Sequence, residues 1–288
     1  MTHHTCYKNK KHMILIAESG STKTDWILLN EGHIHKQVQT LGINPFHQDI
    51  NSIIENIKSL ERFQSIDQIF FYGAGCATDG TKQKVKDALF KVFPHASSEI
   101  HSDILAAARS VCGREKGIAC IIGTGSNSCL YDGETIIHNV RPLGYILGDE
   151  GSGAVLGKRL IADILKGVAP EDITKTFYKK HDLEYADIIN KVYREEAPSR
   201  FLAQFTVFLS ENIEHSYVTN LVQEEFTRFF ERNINQYNNH SSLPIHFIGS
   251  VAYYFKNELN VVAEQMKLQI GKIIKSPLEG LIKFHIEE

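Results

Sequence analysis

The chain of 288 residues lacks several features that would each name a class of protein. No apolar run approaches the roughly 18 residues needed to cross a bilayer, so no membrane partner is expected. Residues 1–12 are polar and basic, hold no hydrophobic signal core and are expected to form a disordered tail, with its His3-His4 pair inert. Cysteine is sparse: Cys6, Cys76, Cys112, Cys120 and Cys129, with no C-x-x-C pair. An odd count without a signal core fits free thiols in a reducing, cytoplasmic setting. Cys112, Cys120 and Cys129 stand among Ala, Ile, Val and Leu and read as small core hydrophobes. Neither sign of charge dominates. Lys plus Arg is 31 and Asp plus Glu is 34, a net charge of −3, which argues against a nucleic-acid binder or a basic membrane-surface protein. No G-x-x-x-x-G-K-[ST] occurs and no G-x-G-x-x-G follows a strand, which excludes a Walker A loop and speaks against a Rossmann dinucleotide site.

Glycine is present at an ordinary level, 20 residues, but is unevenly spread. Ten lie between Gly113 and Gly157, and none between Val168 and Ile248. A dense stretch marks unusual backbone conformations or close approach to a ligand. An empty stretch of this length predicts uninterrupted helices.

The first half reads β-β-β-α-β-α-β-α. Strands are expected at 13–17, 25–29 and 33–38, a helix at 47–61, a strand at 66–72, a helix at 81–93, a strand at 98–101 and a helix from Asp103 toward Cys112. Strands at 118–122, 128–131 and 134–140 then open a second half in the same way. Helices are expected over 152–166, 170–180, 184–193, 199–214 and 218–237. A strand at 244–248, a helix at 253–266, a strand at 268–274 and a closing helix after Pro277 complete the chain. Glu18-Ser19-Gly20-Ser21-Thr22 and Gly123-Thr124-Gly125-Ser126-Asn127 stand 105 residues apart in the same strand–loop–strand–turn–strand setting, the mark of a duplicated unit.

A loop of Gly, Ser and Thr between two strands offers several backbone N–H groups to one anion, and its hydroxyls add donors. A tight hairpin also uses these residues, so one such loop is weak evidence of phosphate binding and two matched loops are stronger. Gly249-Ser250, after another strand, could add a backbone contact. Asp103 follows a strand and opens an Ala-rich helix. It reads equally as a helix N-cap or as a general base at the C-terminal edge of a sheet. Asp149-Glu150 carries the same ambiguity, and the flanking Gly148, Gly151 and Gly153 tip it toward a ligand site.

These segments together resemble the N-acetylglucosamine kinases, grouped with the BadF/BadG-type ATPases in the actin-like superfamily. The likeness rests on Glu18-Ser19-Gly20-Ser21-Thr22-Lys23-Thr24, Ser102-Asp103, Gly123-Thr124-Gly125-Ser126-Asn127, Gly148-Asp149-Glu150-Gly151-Ser152 and Gly249-Ser250-Val251, in that order. The resemblance implies an α/β fold of two ribonuclease-H-like domains with ATP in the cleft between them, the second enlarged by helices. Residues 13–116 with 277–288 would form the first domain and 117–276 the second. It also implies nucleotide contacts from Gly20, Ser21, Thr22, Thr24, Thr124, Gly125, Gly249 and Ser250. Sugar contacts would come from Asn44, Asp103, Ser126, Asn127, Gly144 and Asp149, with Asp103 as catalytic base. Mg²⁺ would be held through water, with Glu18 at the acidic position nearby and no direct protein ligand. The expected partner is a small-molecule sugar, and the expected assembly a homodimer. Two positions depart from the family pattern: Ser19-Gly20-Ser21 replaces a run of three glycines, and Leu143 replaces a Trp of the vertebrate-type kinases.

The expected activity is transfer of the ATP γ-phosphate to a hydroxyl, the 6-OH, of N-acetylglucosamine or a related amino sugar. Two other readings stay open: an ATPase that activates a radical dehydratase or reductase, and a non-catalytic sugar sensor. The first would need paired cluster cysteines, which Cys112, Cys120 and Cys129 do not supply; the second is disfavoured by Asp103 and the two loops.

Overall fold

A computed structural model describes residues 13–20, 23–63 and 65–286. The chain divides into two compact units, one running to Ala106 and resuming at Leu281, the other spanning Ala107–Gly280.

In the first unit, β1 (Met13–Ser19), β2 (Lys23–Asn30) and β3 (His33–Leu41) form an antiparallel meander. Next come α1 (Ile50–Ile57), β4 (Gln68–Gly73), α2 (Asp79–Val92), β5 (Ser97–Ser102) and the opening of α3 (Asp103–Cys112). The sheet order is β3-β2-β1-β4-β5, with β4 parallel to β1 and to β5. Parallel neighbours require crossover connections, and α1 and α2 supply them. Asp49 caps α1 by accepting from the Ser52 N–H at 2.8 Å, and Thr78 and Thr81 form a capping box on α2. Apolar residues of β1, β2 and β4 pack with Ile53, Ile57, Val85 and Leu89 of the two helices into one core.

The second unit repeats that topology. Strands β6 (Gly117–Ile122), β7 (Ser126–Tyr131) and β8 (Ile136–His138) form the meander. Helices follow: α4 (Gly144–Leu147), α5 (Gly153–Leu165), α6 (Glu171–Lys180), α7 (Tyr185–Tyr193), α8 (Pro198–Ala203), α9 (Thr206–Glu211) and α10 (Ser216–Arg232). Then come β9 (Ile245–Ile248), α11 (Ser250–Tyr254), α12 (Lys256–Gln265), β10 (Ile270–Ile274) and α13 (Leu278–Ile286), which continues into the first unit. The sheet order is β8-β7-β6-β9-β10, with β9 parallel to β6 and to β10. The duplication expected from the two loops is therefore present strand for strand. Phe177, Phe205, Phe208, Phe226, Phe229, Phe230 and Phe247 are all fully buried in this unit's core.

The glycine-free stretch is helical, as its composition predicts, but the helix expected over 199–214 is two. The break at Gln204-Phe205 has a local cause. The Thr206 hydroxyl donates to the Ala203 carbonyl at 2.7 Å, competing with the helical pattern, and the Leu202 backbone lies against Gly157 of α5. The strand expected over 134–140 is reduced to Ile136–His138. Beyond it, the Asn139 amide donates to Asn127 Oδ1, the Ser128 carbonyl and the Val140 carbonyl, replacing ladder bonds with side-chain bonds. Conversely, β1 and β2 run further than expected, so Glu18, Ser19 and Thr24 are strand residues.

Gly157 permits the α5–α8 contact, because a Cβ there would overlap the Leu202 carbonyl. Gly157→Ala should destabilise the fold by about 1–3 kcal/mol. Gly80→Ala, in the first turn of α2 where an added Cβ meets nothing within 4 Å, should be neutral or slightly stabilising. Thermal melting of the two variants checks the contrast; equal melting temperatures would remove the packing role of Gly157.

Candidate active site

In the first unit the parallel strands β1, β4 and β5 end at one edge of the sheet. That edge carries Ser19 and Gly20, the Gly73-Ala74-Gly75 turn, and Ser102-Asp103. The Ala74 N–H donates to the Ser19 carbonyl at 3.1 Å, joining two of these ends. The Ser19 hydroxyl is fully buried and acts as a hub. It donates to the Ile43 carbonyl at 3.0 Å, accepts from the Ile43 N–H at 2.9 Å and lies 2.7 Å from the Thr24 hydroxyl. Thr24 is also fully buried, and its hydroxyl donates to the Leu41 carbonyl at 3.1 Å. Ser19 and Thr24 thus brace the hairpin that presents Gly20 and fix the start of the Asn44 loop. Ser21 and Thr22, the hairpin tip, lie outside the described residues, as does the tail 1–12.

Asn44 is held from several sides. Its N–H donates to Gln48 Oε1 at 2.8 Å and its Oδ1 accepts from the Phe46 N–H at 3.0 Å. Gly75, at φ +81°, leaves room for that amide, since a Cβ there would overlap Asn44 Oδ1. The Lys84 ammonium donates to the Pro45 and Gln48 carbonyls at 2.5 and 2.9 Å and closes the loop.

Asp103 occupies the first turn of α3, and its Oδ1 accepts from the Ile104 N–H at 2.8 Å. Asp103 thus stands at the strand-end edge as a residue of the helix's first turn, bonded to its immediate neighbour rather than to the N–H two or three residues on that an N-cap side chain takes. Burial raises its carboxyl above the ordinary carboxylate range, opposed by that hydrogen bond. Glu18, at the end of β1 and opposite Asp25 on β2, is pushed up to about 7. Burial is the main cause, the Asp25 and Asp103 carboxylates add to it, and Lys23 opposes it. Asp25 is in turn held by the Lys23 ammonium at 2.8 Å and the Gln39 amide at 2.6 Å.

In the second unit β6 and β9 also end together, at Gly123 and Gly249. Gly249 has φ +122°, and a Cβ there would overlap the Ile122 carbonyl, so glycine is what lets the two loops touch. The Gly153 and Ala154 N–H groups at the start of α5 donate to the Gly123 and Thr124 carbonyls at 2.8 and 3.0 Å. Two N–H groups that a helix start leaves unpaired thereby anchor the loop. Gly125 passes against the Asp149 carboxylate, where an added Cβ would stand 2.8 Å from Oδ2.

Asp149 itself has a left-handed backbone, φ +56°. Burial raises its carboxyl, while the Ser126 and Gly144 N–H groups that donate to it pull the other way. The next residue is tied as firmly. The Ser126 hydroxyl donates to the Glu150 carbonyl at 2.9 Å, and the Glu150 carboxylate receives the Arg232 guanidinium. Asn127 Oδ1 accepts from the Ser128 N–H and the Asn139 amide, both at 2.9 Å. A cavity of about 310 Å³ opens here, lined among others by Ser126, Leu143, Gly148, Asp149, Arg232 and Gln236. Another of about 310 Å³ lies beside Ser250, between Val207 and Ser210 on α9 and Tyr254 on α11.

The structure thus brings Ser126, Gly144 and Asp149 together in the second unit, turns the Asn127 amide oxygen to Ser128 and Asn139, and sets Gly249 and Ser250 beside the Gly123–Asn127 loop. In the first unit it gathers Glu18, Gly20, Asn44 and Asp103 at one sheet edge. Sequence reasoning missed Arg232, Gln236, Val207 and Tyr254 as cavity-lining residues. They sit in stretches whose helical periodicity signals only core, and nothing local marks them. Among the described residues no group of three or more His, Cys, Asp or Glu is arranged to hold a metal ion, and no helix is long and apolar enough to cross a membrane.

No family model matches the chain, and no curated protein sequence matches it. Solved structures do. A candidate N-acetylglucosamine kinase from Porphyromonas gingivalis is 47% identical, with a TM-score of 0.92 over 96% of this chain and 99% of that one. A second candidate N-acetylglucosamine kinase, from Chromobacterium violaceum, is 15% identical with a TM-score of 0.74 over 96% and 99% of the two chains. A ROK family glucokinase from Streptomyces griseus, solved with glucose and AMPPNP, is 11% identical with a TM-score of 0.53 over 94% and 97%. These last two share the fold. With two topologically matched sheets and near-complete overlap with a 47% identical relative, the chain belongs to the N-acetylglucosamine kinase-like family.

Proposed function

We propose that this protein is a sugar kinase that transfers the γ-phosphate of ATP to the 6-OH of N-acetylglucosamine or a related amino sugar. The observation that carries the reading is Asp103: a buried carboxylate at the strand-end edge, its proton affinity raised by burial, in a chain 47% identical to a candidate N-acetylglucosamine kinase. A raised affinity for protons makes a carboxylate a better base toward an alcohol at neutral pH.

In the proposed reaction the Asp103 carboxylate takes the proton of the attacking hydroxyl. The sugar oxygen bonds to the γ-phosphorus, and the bond to the β–γ bridging oxygen breaks to release ADP. Gly20, Ser21, Thr22, Thr124 and Gly125 would contact the phosphates, and Gly249 and Ser250 the adenosine side. Thr24 would act through its brace on the hairpin. Asn44 would donate to the sugar through Nδ2, since its Oδ1 already accepts from Phe46. Ser126, Asn127, Gly144 and Asp149 would hold the sugar from rigid backbone. Phosphoryl transfer depends mainly on positioning and on spreading charge, and this density of fixed N–H and carboxylate groups suits that task. Mg²⁺ would neutralise phosphate charge when bound. Glu18 fits the neighbourhood of a cation: its carboxyl is raised partly by neighbouring negative charge, which a cation would relieve.

Three outcomes follow. Asp103→Asn should lower kcat by about 10²–10⁴-fold while leaving nucleotide affinity nearly intact; a variant with wild-type kcat would remove Asp103 as base. Across N-acetylglucosamine, N-acetylmannosamine, glucosamine and glucose, a coupled assay should give the highest kcat/KM with an N-acetylated sugar. Turnover of none of them would favour a sugar sensor. The third concerns pH. A carboxyl raised from 4.5 to about 7 binds more protons folded than unfolded, so Glu18 costs stability increasingly as pH rises from about 4.5 to about 7. Without added cation, Glu18→Gln should melt higher than wild type at pH 8, and the gap should close toward pH 4.5. A gap that is absent at pH 8, or unchanged across that range, would contradict the account of Glu18.

A further inference from the structure

A cavity of about 460 Å³, the larger neighbour of the one beside Asp149, lies in the second unit between α4, α5 and α10. Its walls carry four cationic side chains, Lys158 and Arg159 on α5 and Arg228 and Arg232 on α10, against two carboxylates, Glu150 and Glu225. Arg228 and Arg232 are one helical turn apart on α10, a like-charge spacing that weakens an isolated helix. The existing partners use only part of these groups. Arg228 gives Nη1 to Glu225 Oε1 at 3.1 Å, and Arg232 gives Nε to Glu150. Arg159 gives Nη1 to Glu225 at 3.5 Å and its other terminal nitrogen to Glu224. Lys158 donates to the Tyr145 carbonyl at 2.6 Å. Guanidinium edges of Arg228 and Arg232 remain for a bidentate anion, the geometry in which arginine binds phosphate best.

Glu225 orders the arginines. It is 1% exposed, and its Oε1 is shared by Arg159 and Arg228, which fixes both guanidinium groups at the cavity wall. Ile146 and Leu147, both exposed, give the cavity an apolar side suited to the C–H face of a polyol ring.

From these we propose that this cavity is a second ligand site, separate from the candidate sugar site, for a phosphate ester of a polyol such as a sugar phosphate. Arg228, Arg232 and Lys158 take the phosphate, and Ile146 and Leu147 lie along the C–H face of the polyol. Glu150 and Arg232 line both this cavity and the one beside Asp149, so their ion pair is a shared wall. Ligand on Arg232 therefore acts on the residue next to Asp149.

The test measures binding, not turnover, and so stands apart from the kinase reading. Calorimetric titrations of the full chain, with a non-hydrolysable ATP analogue and N-acetylglucosamine held in excess, use hexose 6-phosphate, inorganic phosphate and the unphosphorylated hexose as probes. The expected order is hexose 6-phosphate tightest, inorganic phosphate weaker and hexose undetected. Arg228→Gln should weaken the sugar phosphate by about tenfold or more, and Lys158→Gln, an exposed change that leaves Glu225 paired, should weaken it in the same direction. Kinase activity in the absence of added phosphate ester should be unchanged in both. No binding by wild type, or binding that neither variant alters, overturns the site. Equal affinity for inorganic phosphate overturns the role given to Ile146 and Leu147.

Discussion

Parallel pairing is the constraint on which the rest depends. In each sheet the first strand of the meander runs parallel to the strand beside it, so the C-terminal ends of neighbouring strands come to a common edge. Much of the candidate site hangs on those ends: Glu18 on β1 with Gly20 just after it, the Gly73–Gly75 turn on β4, Asp103 after β5, Gly123 after β6 and Gly249 after β9. A parallel sheet needs helical crossovers and burial on both faces. That requirement accounts for α1 and α2 in one unit and the Phe-rich helical layer in the other. Ligand sites in α/β sheets collect at such edges because the loops there are free to vary while the strands hold their positions.

The edges are built at some cost in stability. Glu18, Asp103 and Asp149 all have carboxyls raised by burial, and the Asp25 and Asp103 carboxylates raise Glu18 further. Asp149 adds a left-handed backbone that a non-glycine residue adopts with strain. The supporting structure over-determines these positions. Two backbone N–H groups hold Asp149, two N–H groups of α5 hold the Gly123–Thr124 loop, and the Ser19 hydroxyl ties β1 to the Asn44 loop. Desolvated carboxylates held by fixed N–H groups at such edges suit a binding and transfer site.

Much of this was legible in the residues. The duplicated meander showed in the matched loops, because a hairpin with glycine and hydroxyl residues leaves a local signature. Glycine density located the Gly123–Gly157 region, and glycine absence located the helical layer. Less was legible where a side chain's role depends on partners distant in sequence. Ser19 and Thr24 read as loop hydroxyls, yet they are buried braces, because β-pairing with β3 extends the strands beyond their apolar run. The Arg232–Glu150 pair joins positions 82 apart in the chain, and no local pattern announces it. Besides its local hydroxyl bond, the break at Gln204-Phe205 has a tertiary contact in the approach of α8 to Gly157, which helical periodicity cannot register.

The central claim is that the gathered loops and Asp103 perform phosphoryl transfer to a sugar hydroxyl. Its most direct measurement is ³¹P and ¹H NMR of the purified protein incubated with Mg²⁺, ATP and N-acetylglucosamine. The account predicts a phosphomonoester resonance coupled to the sugar C6 protons, growing in step with ADP. ADP accompanied only by inorganic phosphate, or no change in the spectrum, would contradict it.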